Sequence, residues 1–287
     1  YTNTRKQGTL QVRKTWVNAH VGDTASITVT GIVNAATAGL NSTANSANET
    51  DPGTVVAMFA GETANFSELV TPSANYTSSF ECVASAGAAV GAAFAKAVGD
   101  TYTMPGTPVD VVCTYTNTRK STTLQLKKQW ASAKVGDTAA LTATGITNSA
   151  TAALDSTAGS ANELDAGNAV TVFAGEVATL GETVNPAANY TSTGPVCTGT
   201  TGLSSSTLTV KPGEGPIVCT YTNTRVQRSL TLKKTWVNGK PGDAVTFTLV
   251  NRLTGTAKGA SEALEGAEED AVLRSFLVRV REYAHAV

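Results

Sequence analysis

Short runs of alternating apolar and polar residues recur along most of the chain, separated by Gly, Asp, Asn and Pro. A period of two puts every second side chain on one face, the pattern of a half-buried β-strand, and the separators are turn formers. Leu10, Val12, Lys14 and Trp16 share a face of the first run; Ala25, Ile27 and Val29 share one of the next. Further on, Val55–Phe59 reads as a central strand, Phe66, Glu68 and Val70 share a face, and Val111, Cys113, Tyr115 and Asn117 share one of the closing run. The Ala/Ser/Asn-rich stretches 34–51 and 148–168 read as polar loops, and 84–98 as a longer loop or short helix. About seven short strands in roughly a hundred residues predict an all-β fold, an immunoglobulin-like Greek-key sandwich.

The pattern then repeats. Cys113-Thr114-Tyr115-Thr116-Asn117-Thr118-Arg119 returns as Cys219-Thr220-Tyr221-Thr222-Asn223-Thr224-Arg225, and the chain opens on Tyr1-Thr2-Asn3-Thr4-Arg5. Trp16, Trp130 and Trp236 are separated by 114 and 106 residues, as are Tyr1, Tyr115 and Tyr221. A period that long marks tandem domains and not a solenoid of short repeats. The expected organisation is residues 1–5 as the last strand of a preceding domain, 6–119 and 120–225 as two sandwiches, and 226–287 as an incomplete third. Its end, from Glu262, spaces Val272, Leu273, Phe276, Leu277, Val280 and Ala284 like an amphipathic helix.

Composition narrows the function. Only 15% of the 287 residues are charged and the net charge is -1, so no basic field exists to meet a nucleic acid. No run approaches the roughly 18 apolar residues of a membrane span. The two histidines, His20 and His285, and the lack of a C-x-x-C pair argue against a zinc site, and no cofactor is expected. There is no Ser-His-Asp set or phosphate loop, so an enzyme acting on external substrates is not expected. His20 reads as an exposed turn residue without a partner, and Glu62 and Glu176 as solvated turn residues after glycine.

The four cysteines fall in equivalent places of the two full units. One disulfide per unit, Cys82–Cys113 and Cys197–Cys219, is the expected arrangement, with four buried thiols as the alternative. Such bonds place the protein in an oxidising compartment and would each stabilise by roughly 3–4 kcal/mol on a chain-entropy estimate.

Parity also turns three polar residues of each unit inward. Lys14, Glu68 and Asn117 share faces with core residues, and so do Lys128, Glu182 and Asn223; the Lys-to-Glu spacing is 54 in both units. Burial lowers a lysine pKa and raises a glutamate pKa, giving a nucleophilic amine and a carboxyl able to polarise an amide. An amine held against a carboxamide can displace ammonia and leave a Lys–Asn amide, with the sandwich supplying the effective concentration. Lys127 is matched by Arg13, which cannot act as this nucleophile, whereas Lys14, Lys128 and Lys234 correspond throughout. The alternative is a plain Lys–Glu ion pair with the Asn capping a turn.

Leu-x-Val/Leu-x-Lys-x-Trp, Glu-x-Val-x-Pro and Tyr-Thr-Asn-Thr together resemble the collagen-adhesin B-type, SpaA-like prealbumin-fold domains of bacterial pilins and adhesins. That resemblance implies an intramolecular isopeptide bond from a first-strand Lys to a last-strand Asn, promoted by an intervening Glu. By position these are Lys14, Asn117 and Glu68 in the first unit and Lys128, Asn223 and Glu182 in the second. It implies an extracellular or cell-surface stalk whose partners are neighbouring repeats. A ligand-binding adhesion module, using the long loops to meet a glycan or host matrix protein, is the alternative.

Overall fold

The computed structural model describes residues 1–86, 100–232, 234–244, 247–250, 257–260 and 276–280. Residues 1–187 with 192–224 form one compact unit, and residues 188–191 with 225–287 a second. The first unit holds two β-sandwiches built on one plan.

In the first sandwich one sheet contains β1 (Gln7–Val17), and the other starts from β2 (Thr24–Thr30). The stretch expected to be a polar loop instead holds a one-turn helix α1 (Ala35–Ala38) and two short strands, β3 (Leu40–Thr43) and β4 (Glu49–Pro52). These strands are too short and too polar to stand out by alternation, and pairing with longer neighbours makes them. They are followed by β5 (Val56–Phe59), β6 (Thr63–Thr71), β7 (Tyr76–Ala86), β8 (Thr101–Thr103) and the closing β9 (Asp110–Arg119). Strand order is β4-β1-β9-β7 with β5 also on β1 in one sheet, and β3-β2-β6-β8 in the other. The expected loop or helix over 84–98 falls mostly outside the described residues, and Ala84–Ala86 belong to β7.

The first and last strands, β1 and β9, lie side by side and parallel, with Lys14 opposite Tyr115 and Trp16 opposite Asn117. Leu10 and Val12 of β1 and Val111, Cys113 and Tyr115 of β9 pack against Ile27 and Val29 of β2 and Phe66 of β6. That is the inward set which the period-two reading assigns, and its burial supplies most of the driving force. A second apolar cluster joins Trp16, Ala25, Val70 and Tyr76, with the Trp16 and Tyr76 rings 5.4 Å apart edge to face.

The second sandwich repeats this with β10 (Ser121–Ala131), β11 (Thr138–Thr144), α2 (Ser149–Ala152), β12 (Leu154–Thr157) and β13 (Glu163–Ala166). Then come β14 (Val170–Phe173), β15 (Val177–Asn185), β16 (Tyr190–Thr198), β17 (Leu203–Ser204), β18 (Thr207–Thr209) and β19 (Ile217–Arg225). Again the first and last strands, β10 and β19, are parallel neighbours.

Beyond them, β20 (Arg228–Leu232) pairs antiparallel with β23 (Phe276–Val280), and β21 (Phe247–Val250) with β22 (Ala257–Ala260). Phe276–Val280 is therefore strand, where the spacing predicts helix. Phe-Leu-Val-Arg-Val is a short apolar, β-branched run, for which periodicity alone does not separate the two. The remaining tail residues of that expectation lie outside the described residues.

Candidate functional site

Because β1 and β9 run parallel with Trp16 opposite Asn117, Lys14 and Asn117 are diagonal neighbours on the inward face. β6 in the facing sheet carries Glu68 between Phe66 and Val70. All three polar side chains are thereby closed in. Lys14 and Asn117 are 0% exposed, and the Glu68 side chain only 4%. Lys14 Nζ lies 3.5 Å from Glu68 Oε1 and donates to the Thr15 carbonyl at 3.1 Å. It also sits 3.8 Å from the centre of the Trp16 ring, two residues along its own strand.

The second sandwich reproduces the set. Lys128 Nζ is 3.4 Å from Glu182 Oε1, donates to the Gln129 carbonyl at 3.1 Å and lies 4.1 Å from the Trp130 ring centre. Lys128 and Asn223 are likewise fully buried. In the third segment, Lys234 Nζ is 4.7 Å from the Trp236 ring, but residues 234–236 are not in a strand.

Burial pushes the Lys14 amine down to about 8, against the opposing pull of Glu68 and the weaker one of Asp51. Glu68 is pushed up by the same desolvation, opposed by Lys14 and by hydrogen bonding to Asn117 and Ser78. Lys128 and Glu182 shift in the same two directions for the same cause. Both pairs are thus displaced toward neutral amine and neutral carboxyl, the protonation states of a nucleophile and a general acid.

The asparagines are the odd members. Asn117 lies near enough to Glu68 to favour the ionised carboxyl. Yet neither Asn117 Oδ1 nor Nδ2 completes a hydrogen bond of ordinary geometry, nor does Glu68 Oε1, and Asn223 and Glu182 share this property. An orphaned buried polar group costs roughly 1–3 kcal/mol, so four such amide atoms at two equivalent places call for an explanation.

A further chain of contacts is not among the residues that strand parity singles out. Trp16 Nε1 donates to Ser42 Oγ at 2.8 Å, and Ser42 Oγ donates to Asp51, the residue opposite Lys14 on β4. Trp130, Ser156 and Asp165 do the same beside Lys128. The signal was present: Ser42 and Ser156, like Asp51 and Asp165, are 114 apart, the repeat period.

The cysteines join as expected. Cys82 stands opposite Cys113 across β7 and β9, and the two are disulfide-bonded, as are Cys197 and Cys219. Each bond therefore braces neighbouring strands of one sheet. Glu62 and Glu176 are structural, though not solvated. Glu62 accepts from the Phe59 and Val33 amides, and Glu176, 8% exposed, accepts from Phe173 and Thr147. His20 is not partnerless: its Nδ1 is 3.8 Å from Asp23 Oδ1, and its amide donates to the Tyr76 hydroxyl. The turn ahead of β2, in which the Asp23 amide donates to the His20 carbonyl at 3.1 Å, folds Asp23 back toward it.

The two sites differ on one side. In the first sandwich the Phe80 ring lies 5.0 Å from Phe66 and 4.5 Å from Tyr115. In the second, a cleft of about 330 Å³ lies against Glu182, lined also by Leu180, Gly194, Pro195 and Tyr221. The Tyr221 hydroxyl is buried without a hydrogen bond, and its pKa is pushed up to about 12 by burial.

The chain is similar to bacterial pilus proteins. It is 14% identical to the major pilin of Streptococcus pyogenes with a TM-score of 0.39, the match covering 78% of this chain and 99% of that one. It is also 14% identical to the C-terminal fragment of the pilus adhesin SpaC from Lactobacillus rhamnosus GG, at a TM-score of 0.35, over 77% of this chain and 98% of that one. A second Streptococcus pyogenes major pilin, T3.2, gives 11% identity and a TM-score of 0.40 over 76% and 98%. No family model matches the chain, and neither does any curated protein. Among the described residues no cluster of His, Cys, Asp and Glu could hold a metal ion, and no helix is long and apolar enough to cross a membrane.

Proposed function

We propose that the chain is a run of tandem β-sandwich repeats from the stalk of a bacterial surface protein, acting outside the cell, with residues 6–119 and 120–225 as successive units. Each unit is closed twice, by its disulfide and by an isopeptide bond, Lys14 to Asn117 in one and Lys128 to Asn223 in the other. The observation that carries the reading is the buried Asn117 carboxamide, left without a well-formed hydrogen bond beside a Lys14–Glu68 pair shifted toward its neutral forms. As a permanent resident that amide is a standing cost; as a reactant it is consumed.

In the reaction, neutral Lys14 Nζ attacks Asn117 Cγ while Glu68 in its protonated form holds the carboxamide oxygen. As the tetrahedral centre forms, Glu68 passes its proton to that oxygen; as a carboxylate it takes a proton from the new ammonium and delivers it to the departing nitrogen, and it regains its own when the carbonyl re-forms. A Cγ–Nζ bond forms, the Cγ–Nδ2 bond breaks and ammonia leaves. Trp16 keeps water from the amine, and the parallel β1–β9 pairing holds nucleophile and electrophile together. Each site turns over once and acts on its own chain, so the chemistry builds the protein and transforms no external substrate.

Intact mass spectrometry tests this. With both bonds formed, the oxidised chain is lighter by about 34 Da, two ammonia losses, than its sequence with two disulfides alone. Glu68→Ala should restore about half that difference, with the surviving cross-link mapping to Lys128 and Asn223. An undiminished mass for the parent chain ends the isopeptide reading.

A further inference from the structure

Arg119, the last residue of the repeated Tyr-Thr-Asn-Thr-Arg segment, has surroundings unrelated to the cross-link. It ends β9 on the parity of Asn117 and is 6% exposed. Its Nε donates to the Ala174 carbonyl at 2.8 Å, and its guanidinium lies 5.8 Å from the Phe173 ring centre, both in the second sandwich. The next residue straddles the joint. Lys120 N donates to Asn75 O of the first sandwich at 2.8 Å, and Lys120 O accepts from Ala174 N at 2.9 Å. Guanidinium stays charged at any ordinary pH, so burying it needs such fixed acceptors and a ring face.

The same arrangement stands at the opposite end of the first sandwich. Arg5, whose side chain is 55% exposed where Arg119 is buried, lies 4.6 Å over the Phe59 ring, its Nη2 is 3.5 Å from the Ala60 carbonyl, and its Nη1 is 3.6 Å from Glu62 Oε1. Ala60 N donates to Lys6 O at 2.9 Å, matching Ala174 with Lys120. Arg5 and Arg119 are one repeat apart, and so are Phe59 and Phe173, and Ala60 and Ala174. The receiving turn is shaped in advance by its own glutamate: Glu62 accepts from Phe59 N, and Glu176 from Phe173 N.

We propose that the Phe-Ala-Gly-Glu turn of each sandwich, 59–62 and 173–176, is a docking socket for the chain end of the preceding repeat. Its partner is a Thr-Arg segment leaving a like sandwich: the ring takes the cation's face, the alanine carbonyl takes a guanidinium N–H, and the alanine amide pairs with the residue after the arginine. One segment then ends a domain and plugs into the next, setting the angle of the joint.

Spin labels at Ser67→Cys and Thr142→Cys, both exposed, report this angle in the full chain, whose native cysteines are all in disulfides. In the parent the distance distribution should be narrow, and Arg119→Ala should widen it about twofold or more, since a joint without its contacts reverts to free domain motion. A second variant covers the possibility that Arg119→Ala does not fold. Gly175 has φ +86, and a Cβ there would meet Asn75 Nδ2 at 2.7 Å, across the joint; Gly61 has φ +81 with nothing within 4 Å. Gly175→Ala should widen the distribution and Gly61→Ala, with like backbone strain, should not. An unchanged distribution in folded Gly175→Ala, or equal widening in both, overturns the proposal. Cross-link masses should stay at the parent value in all three variants, so the outcome is independent of the isopeptide reading.

Discussion

In the first sandwich the Phe80 ring forms an aromatic wall between Tyr115 and Phe66, the latter lying two residues before Glu68 on β6. In the second, the residue one repeat further on is Gly194, and the cleft of about 330 Å³ lies there against Glu182. The lysines nonetheless stand 3.5 and 3.4 Å from their glutamates and are both shifted down, and both glutamates are shifted up. The amine is therefore desolvated from its own side, by the tryptophan and the parallel strand pair, and not by the aromatic wall. The carboxyls are closed in almost equally too, the Glu68 side chain 4% and the Glu182 side chain 6% exposed, so the ring changes the space beside the carboxyl more than its burial. The wall cannot simply be restored in the second sandwich: Gly194 has φ +121, and a Cβ there would meet the Thr220 carbonyl at 2.8 Å.

The largest effect on either sandwich should come from removing its buried asparagine, one side at a time. Asn117→Ala and Asn223→Ala should each lose one cross-link and destabilise their own sandwich by roughly 4–5 kcal/mol, the loop-closure value for about a hundred residues, measured by urea unfolding. Equal losses would show that the cleft leaves the end product untouched. Next in size, Phe80→Ala should cost up to about 3 kcal/mol, the low end for a Phe truncation because the ring is only partly buried, and slow cross-linking at the first site toward the rate at the second, followed by mass against time after refolding. If the two rates already agree in the parent, the wall has no kinetic role.

A smaller effect is electrostatic. In Asn117→Ala the amine survives, with its pKa at about 8 in the fold against 10.5 unfolded. Between those values the unfolded chain binds the extra proton, so stability should rise with pH across about 8 to 10.5, by up to about 3 kcal/mol. Glu68 acts in the opposite sense and lower down: its raised pKa makes stability fall as pH climbs from 4.5. A parent chain in which Lys14 has joined Asn117 would have no amine there to titrate and should lack the alkaline rise. Unfolding free energies at a series of pH values separate the two.

Both sandwiches and their inward polar trios were legible because strand parity is a local property that the repeat states twice. Lys14 and Lys128 interrupt apolar faces at the same step, and the structure buries both completely. Arg119 sits on the same parity as Asn117 but makes its contacts in the next sandwich, which no periodicity within one strand can express. The Trp16–Ser42–Asp51 chain escaped for a related reason: Ser42 and Asp51 lie on four-residue strands in a stretch whose composition reads as loop. Gly194 carries no mark of its own, since the ring it replaces belongs to the other copy, one repeat of 114 residues earlier.

The parallel pairing of β1 with β9 has a mechanical consequence. Chain enters one end of the sheet at Gln7 and leaves the other at Arg119, so a pull on the two ends of the sandwich shears eight register pairs at once instead of unzipping them singly. With Lys14 joined to Asn117, that tension would run up β1 as far as Lys14, cross one amide and leave through Thr118 and Arg119. Residues 15–116, the disulfide and most of the core included, would then lie off the load path, and the sandwich would behave as an inextensible link.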